Sequence, residues 1–143
     1  MALVADACYH QVDSTVIPFH IGEQVKSAGA IRYMEDPALD GSSPRCYSTS
    51  IGTLDPHYGA GPANHMRYLL TYCGTSACNN NAVTGIGVDE ARQLWYASIQ
   101  HLNTTTTYAD LKQAYQLAAE QLFGLASLER LAVDQAFDAI NVP

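Results

Sequence analysis

Asp55-Pro56-His57-Tyr58-Gly59-Ala60-Gly61-Pro62-Ala63-Asn64-His65-Met66-Arg67-Tyr68-Leu69-Leu70-Thr71-Tyr72-Cys73-Gly74 begins as a turn and ends as a helix. Gly59 through Pro62 opens the helix. Proline suits a first helical position because its missing N–H would find no intrahelical partner there. Ala63, Met66, Leu69, Leu70 and Cys73 then fall on one stripe of a 3.6-residue period. Gly74 predicts the stop, because glycine adopts the left-handed conformation that closes helices. One apolar stripe has to be covered by other elements, so the rest of the chain must supply partners.

Downstream, the same period recurs three times. Asp89 caps or begins a helix running to about Leu102, with Ala91, Leu94, Trp95, Ser98, Ile99 and Leu102 on one face. A run of four threonines, Thr104 to Thr107, offers capping hydroxyls before a helix over about 107–123, whose face is Leu111, Tyr115, Ala118 and Leu122. Ser127 caps a last helix carrying Ala132, Val133, Ala136, Phe137 and Ile140. Upstream, residues 1–17 carry one or two helical turns stopped before Pro18, and residues 19–54 are rich in glycine, proline and short polar runs. The expected fold is mainly α, a bundle of about four to five helices with a long irregular N-terminal segment. It is expected to be one domain over 1–143. A short helical start spans 1–18, a loop-rich segment 19–58 and the bundle 59–143.

The chain has 143 residues, 48% of them apolar, enough to build one core. Its net charge of −7 argues against nucleic-acid binding, since few cations are available to displace counterions from phosphates. No basic amphipathic stretch suggests a membrane surface, and no apolar run has spanning length. Only 15% of residues are charged, and the polar balance rests on Ser, Thr, Asn, Gln and Tyr, a style common among secreted enzymes. Met1-Ala2-Leu3-Val4-Ala5 is too short for a signal h-region and has no basic flank. Of the four cysteines, Cys73 and Cys78 are expected to close a small disulfide loop around Gly74, the alternative being two small, partly buried thiols. The spacing leaves the pairing of Cys8 and Cys46 open.

Two stretches could carry chemistry, although HExxH, GxSxG, P-loop and GxGxxG motifs are all absent. In Asp55-Pro56-His57, the carboxylate can accept one ring N–H of His57, fix the tautomer and leave the other nitrogen for a substrate. A nearby carboxylate favours the imidazolium and a helix N-terminus disfavours it. The plainer alternative is a loop histidine bonded to its own turn. In Ala30-Ile31-Arg32-Tyr33-Met34-Glu35-Asp36-Pro37, Arg32 among apolar neighbours could offer its planar fork to a peptide carbonyl or carboxylate. Here the alternative is a solvent-reaching arginine paired with Glu35 or Asp36.

These stretches resemble a known family. Ile21-Gly22-Glu23-Gln24-Val25 with Ala30 through Pro37 is similar to the IGxxV…LRxMxxP segment of thermolysin-like zinc metalloendopeptidases. Asp55-Pro56-His57-Tyr58 with Gly61, Asn64 and Tyr68-Leu69-Leu70 resembles their DxHxxSGxxNxAxYLL motif, and the Asp-x-His form is nearest to the pseudolysin and vibriolysin branch. Gly85-Ile86-Gly87 through Trp95-Tyr96 resembles GIGxxKAxxIWYxAL, and Gln135 through Val142 resembles the closing QAFDAVGV. The order holds over residues 19–143.

The resemblance implies the C-terminal helical domain, one wall of the active-site cleft of a secreted protease. It implies His57 as the residue bonding the oxyanion of the tetrahedral intermediate and Asp55 as its orienter. Arg32 would bind a substrate carbonyl, Ile31 and Ile21 would line the S1′ pocket, and Glu23 would stand where some members place a calcium ligand. Departures accompany it. The zinc-binding HExxH helix with its catalytic Glu is missing. Ala2-Leu3-Val4-Ala5-Asp6 aligns with the EAxSD stretch, which puts Ala2 where the third zinc ligand belongs. Ala60 replaces the usual serine, and Pro18 and His20 replace residues that help bind calcium. Zinc peptidase chemistry needs three protein ligands and an activated water. The isolated chain is therefore expected neither to bind catalytic zinc nor to cleave peptides. The partners implied are a peptide substrate and a separate N-terminal catalytic half, or a homodimer through the exposed cleft face. The alternatives are a non-catalytic peptide-binding module or a structural remnant.

Overall fold

Each helix carries a single apolar stripe, and the chain buries these stripes by packing the helices against one another. The computed structural model describes residues 20–22 and 29–143. The short helical start expected over 1–18 and Glu23 lie outside the described residues. The helical elements are α1 (Pro56–Gly59), α2 (Gly61–Tyr72), α3 (Val88–Ile99), α4 (Tyr108–Phe123) and α5 (Leu128–Ala139). The fold is the mainly α bundle that the periodicity predicts.

Helix starts follow the capping residues. The Thr107 side chain accepts from the Asp110 amide while Asp110 accepts from the Thr107 amide, a reciprocal capping box at α4. Ser127 caps α5 by accepting from the Arg130 amide. α3 begins after Gly87 without a side-chain cap, and Asp89 sits in its first turn. It ends at Ile99, short of the expected Leu102. The amides of Gln100, His101 and Leu102 reach back only three residues, to Ala97, Ser98 and Ile99, which tightens the chain out of the helix. The left-handed residue that closes α2 is Cys73, with φ 62°, one position earlier than expected.

α4 packs against α3 and α5, and α2 packs against α5. The core joins Met66, Leu69 and Leu70 of α2, Leu94 of α3, Tyr115, Ala118 and Ala119 of α4, and Ala132, Val133, Ala136 and Phe137 of α5. The Tyr115 and Phe137 rings meet edge to face at 5.5 Å. Leu122 is the exception on the α4 face. It lies in the last turn and is exposed. Trp95 is also partly exposed, with the Arg67 guanidinium 4.7 Å over its ring. Polar side chains fix the α4–α5 register every four residues. Lys112 meets Asp138 at 3.0 Å, Gln116 donates to Asp134 at 2.8 Å, and Arg130 donates to Glu120 at 3.0 Å. Arg130 also reaches Asp134 at 2.6 Å.

The segments expected to be irregular contain short pairings. β1 (His20–Ile21) runs antiparallel to β2 (Arg32–Tyr33), and β3 (Gly74–Thr75) to β4 (Ala82–Val83). Two 3-10 turns occupy Pro37–Asp40 and Ile51–Thr53. Segment 85–87 folds over the end of α2, where the Ile86 and Gly87 amides donate to the Leu70 and Thr71 carbonyls at 2.8 and 3.1 Å. Gly85 permits this, because an added Cβ would lie 2.5 Å from the Cys73 nitrogen.

The expected Cys73–Cys78 loop is not formed. Cys78 bonds to Cys46, with Cα atoms 5.7 Å apart, and Cys73 is in a disulfide of its own. The reason is tertiary. The turn carrying Cys78 docks on the C-terminal end of α5, where the Ser76 hydroxyl donates to the Ala139 carbonyl and Asn79 donates to the Asp138 carbonyl at 2.8 Å. The Cys46 segment docks at the same end, the Tyr47 amide donating to Ile140 at 2.8 Å. Both segments are brought to one place by α5, across 32 residues of sequence.

Candidate functional site

His57 is set by local backbone chemistry. Asp55 is the N-cap of α1, and Pro56 occupies its first turn. One carboxylate oxygen of Asp55 accepts both the His57 amide at 2.9 Å and the ring Nδ1 at 2.8 Å. Those bonds from the amide and then the ring, with the nearby His57 and Arg32 charges, hold the Asp55 carboxyl below its usual range. The imidazole side chain is 81% exposed, and among the described residues no partner takes its Nε2. An ionised Asp55 favours the tautomer with hydrogen on Nδ1, and protonation then places a second donor on Nε2.

Arg32 lies on β2, and its Nη1 donates to the Ile31 carbonyl at 2.7 Å. The same nitrogen stands 3.4 Å from Oδ2 of Asp40. The guanidinium carbon also lies 5.3 Å from the centre of the Tyr58 ring. Tyr58 follows His57 on α1, so the two stretches singled out in the sequence converge. The alternative partners of Arg32, Glu35 and Asp36, are engaged elsewhere. Glu35 binds His20, and Asp36 takes Arg45 through two parallel contacts, Nη2 at 2.7 Å from Oδ2. The Asp36–Arg45 pair, led by its side-chain hydrogen bond, holds Asp36 below the usual carboxylate range.

Asp40, Tyr58 and Arg45 are the site residues that sequence reasoning missed. Asp40 ends a 3-10 turn, and Gly41 at φ 83° bends the chain back. Burial would raise the Asp40 pKa, but it is overcome. The Ser43 hydroxyl donates at 2.6 Å, the Ser43 amide at 2.7 Å and the Ser42 amide at 2.8 Å, and with the Arg32 charge they bring it below its usual value. This turn rests on the start of α2. A Cβ on Gly61 would collide with the Pro44 carbonyl and come within 3.0 Å of Ser43 Cβ, so only glycine lets the two meet.

Of the apolar candidates, Ile31 is half-buried and donates its amide to the Ile21 carbonyl at 2.7 Å. Ile21 is about half exposed. Leu39, Leu54 and Tyr58 are further exposed apolar side chains, each adjacent in sequence to a polar residue of the site. Behind the site, His65 of α2 is buried, and neither ring nitrogen meets a partner in strict hydrogen-bond geometry. Burial lowers its pKa, although the Glu35 and Met34 backbone groups and Asp36 oppose that effect.

Among the described residues, no group of three or more His, Cys, Asp or Glu side chains could hold a metal ion. The described residues by themselves therefore offer no donor set for zinc. No helix among them is long and apolar enough to cross a membrane.

The helical bundle has a known counterpart. A family profile described as "Thermolysin metallopeptidase, alpha-helical domain" matches residues 1–142. The chain belongs to the thermolysin metallopeptidase family, as its α-helical domain. Among its relatives, the transglutaminase-activating metalloprotease of Streptomyces mobaraensis is 32% identical over 137 residues, covering 85% of this chain and 18% of that protein. Bacillolysin of Bacillus caldolyticus and thermolysin of Alicyclobacillus acidocaldarius subsp. acidocaldarius are each 34% identical over 132 residues, covering 87% of this chain and 24% of theirs. The chain thus spans about a fifth to a quarter of the length of these thermolysin-family relatives.

Proposed function

We propose that this chain, as one domain over 1–143, forms the helical wall of a metalloendopeptidase cleft and binds the peptide there. The observation carrying this reading is that an exposed imidazole is held by Asp55 while the next residue on α1, Tyr58, meets the Arg32 guanidinium at 5.3 Å. In the family, zinc polarises the scissile carbonyl and activates water. This chain's own part is different. Asp55 holds the Nδ1 hydrogen, which commits Nε2 of His57 to the substrate side, where the protonated ring donates to an oxyanion. Arg32 donates from Nη2 and Nε to a peptide carbonyl, and Ile31 and Ile21 cover an apolar residue of the same peptide.

The preceding zinc-binding half supplies the metal, the catalytic carboxylate and the other wall. Alone, the chain neither takes up catalytic zinc nor hydrolyses peptides. Disulfides persist in oxidising compartments, and the Cys46–Cys78 bond supports the reading that the chain is secreted. Glu23 is carried as a calcium ligand by resemblance only.

The test is a titration of the purified chain with acetyl-Ala-Leu-Ala-amide, followed by amide chemical shifts. Saturable shifts around Ile31, Arg32 and Tyr58 that vanish in Arg32→Ala are expected. Equal binding by Arg32→Ala, or stoichiometric zinc uptake with casein hydrolysis by the isolated chain, refutes the reading. The exposed Ile21, Leu39, Leu54 and Tyr58 favour a second use of the same face. In the absence of the catalytic half it pairs with another copy, so light scattering should show a mass rising with concentration.

A further inference from the structure

Arginine is a poor recognition group until something restrains it, because its long side chain samples many rotamers and binding must freeze them. Here the restraint is already built. We propose that Asp40 and Tyr58 are positioning residues. They clamp the Arg32 guanidinium and tie its placement to that of His57. The proposal rests on the reading of Arg32 as the peptide-carbonyl donor.

Three contacts define the clamp. The Ile31 carbonyl accepts from Nη1 at 2.7 Å, Asp40 Oδ2 stands 3.4 Å from the same nitrogen, and the Tyr58 ring lies 5.3 Å beneath the guanidinium carbon. All polar contacts fall on Nη1. Among the described residues, Nη2 and Nε have no hydrogen-bond partner, so the outer edge of the fork is left for a ligand. Asp40 is suited to anchoring because it is itself immobile. Its side chain is 5% exposed, one oxygen takes the Ser42 and Ser43 amides, and the other takes the Ser43 hydroxyl and faces Arg32. The turn that holds Asp40 is pressed against the start of α2 at Gly61. Tyr58 supplies a second jaw from α1. Because it adjoins His57, it links the guanidinium to the helix that carries the imidazole. Asp40 therefore acts through Arg32, and Tyr58 acts through both.

The experiment is guanidinium-selective NMR of the full chain in wild type, Asp40→Asn and Tyr58→Leu. Arg45, held by Asp36, serves as an internal standard. In the wild type, restricted rotation gives Arg32 separate Nη signals. In Asp40→Asn these merge while the Arg45 signals and the amide spectrum stay unchanged. Affinity for acetyl-Ala-Leu-Ala-amide falls about tenfold in Asp40→Asn and about threefold in Tyr58→Leu. Tyr58 is partly exposed and lies outside the Asp40 turn, so its variant decides the matter if Asp40→Asn fails to fold. Restrained Arg32 signals in a folded Asp40→Asn, or unchanged Arg32 signals in Tyr58→Leu, overturn the clamp. Merged signals with peptide affinity unchanged in both Asp40→Asn and Arg32→Ala support the clamp and refute the carbonyl-binding reading instead.

Discussion

The Tyr108 hydroxyl donates to the Gly59 carbonyl oxygen at 2.8 Å, fastening the first residue of α4 to a backbone group two residues beyond His57. The phenol oxygen itself accepts from the Ala63 amide at 3.2 Å, so one side chain spans the α1–α2 junction. The Tyr108 side chain thereby ties the bundle core to the exposed site.

Tyr108→Phe removes that span and leaves the Gly59 carbonyl and the Ala63 amide seeking water. A stability loss of about 1–2 kcal/mol in urea denaturation is expected. Amide shifts should spread through residues 57–63, and the His57 ring should broaden. A variant of unchanged stability, with shifts confined to α4, would show that the junction is held by packing alone.

Alkaline pH should act on two phenols. Burial pushes Tyr108 and Tyr115 up to about 12 from 10, against the Ala63 amide in the first case and against the Arg67 charge and Ser98 in the second. The folded state thus holds these protons more tightly than the unfolded chain does. Their contribution is fully present below about pH 10 and is lost as pH rises through about 12. Ultraviolet titration should show both ionising late and together with unfolding. Ionisation of Tyr115 near pH 10 in a folded chain would contradict its burial.

Acid should act through His65. Burial keeps its folded pKa below the ordinary 6.5, so the neutral ring is favoured in the fold. Below pH 6.5 the unfolded chain binds the extra proton first, and stability falls as pH drops. Thermal melts between pH 7 and 5 should show this decline, and His65→Leu should flatten it, since no hydrogen bond in strict geometry is lost. An equally steep decline in His65→Leu would assign the effect to another group.

The helices were legible in the sequence because their cause is local. Met66, Leu69 and Leu70, or Ala132, Val133, Ala136 and Phe137, declare a face by spacing alone, and Thr107 and Ser127 declare starts by their hydroxyls. The pairing of Asp55 with His57 spans one turn and was equally readable. Arg32 was not. Its nearest acids in sequence, Glu35 and Asp36, are drawn off by His20 and Arg45, and its partner Asp40 arrives through a turn closed by Gly41. Cys46 and Cys78 were hidden for the same reason, since only the end of α5 makes them neighbours.

Removing that disulfide should therefore loosen two segments at once. In a Cys46→Ala, Cys78→Ala double variant, releasing a cross-link across 32 residues should cost about 3–4 kcal/mol through the entropy regained by the unfolded chain. Hydrogen exchange should speed up at Tyr47 and around residues 76–80, while the α4–α5 seam keeps its protection. Loss of the whole bundle, rather than of these segments, would show that α5 depends on the bridge.

The last prediction concerns the tautomer of His57. Asp55→Asn keeps an N-cap acceptor for the His57 amide, since Asn caps helices about as well as Asp, so the fold should be preserved. The carboxylate that accepts from Nδ1 is gone, however, and the amide offers a weaker acceptor and a competing donor. Long-range proton–nitrogen spectra of the ring should show hydrogen on Nδ1 in the wild type and a shift toward Nε2 in the variant. Lowering the pH on the wild type should leave the pair intact to below 3.8, because the folded Asp55 pKa is depressed. Its contribution is present above that unfolded value and is lost as pH falls through the lower folded one. Identical ring spectra in wild type and variant would mean that Asp55 is only a helix cap, and that the orientation of His57 comes from elsewhere.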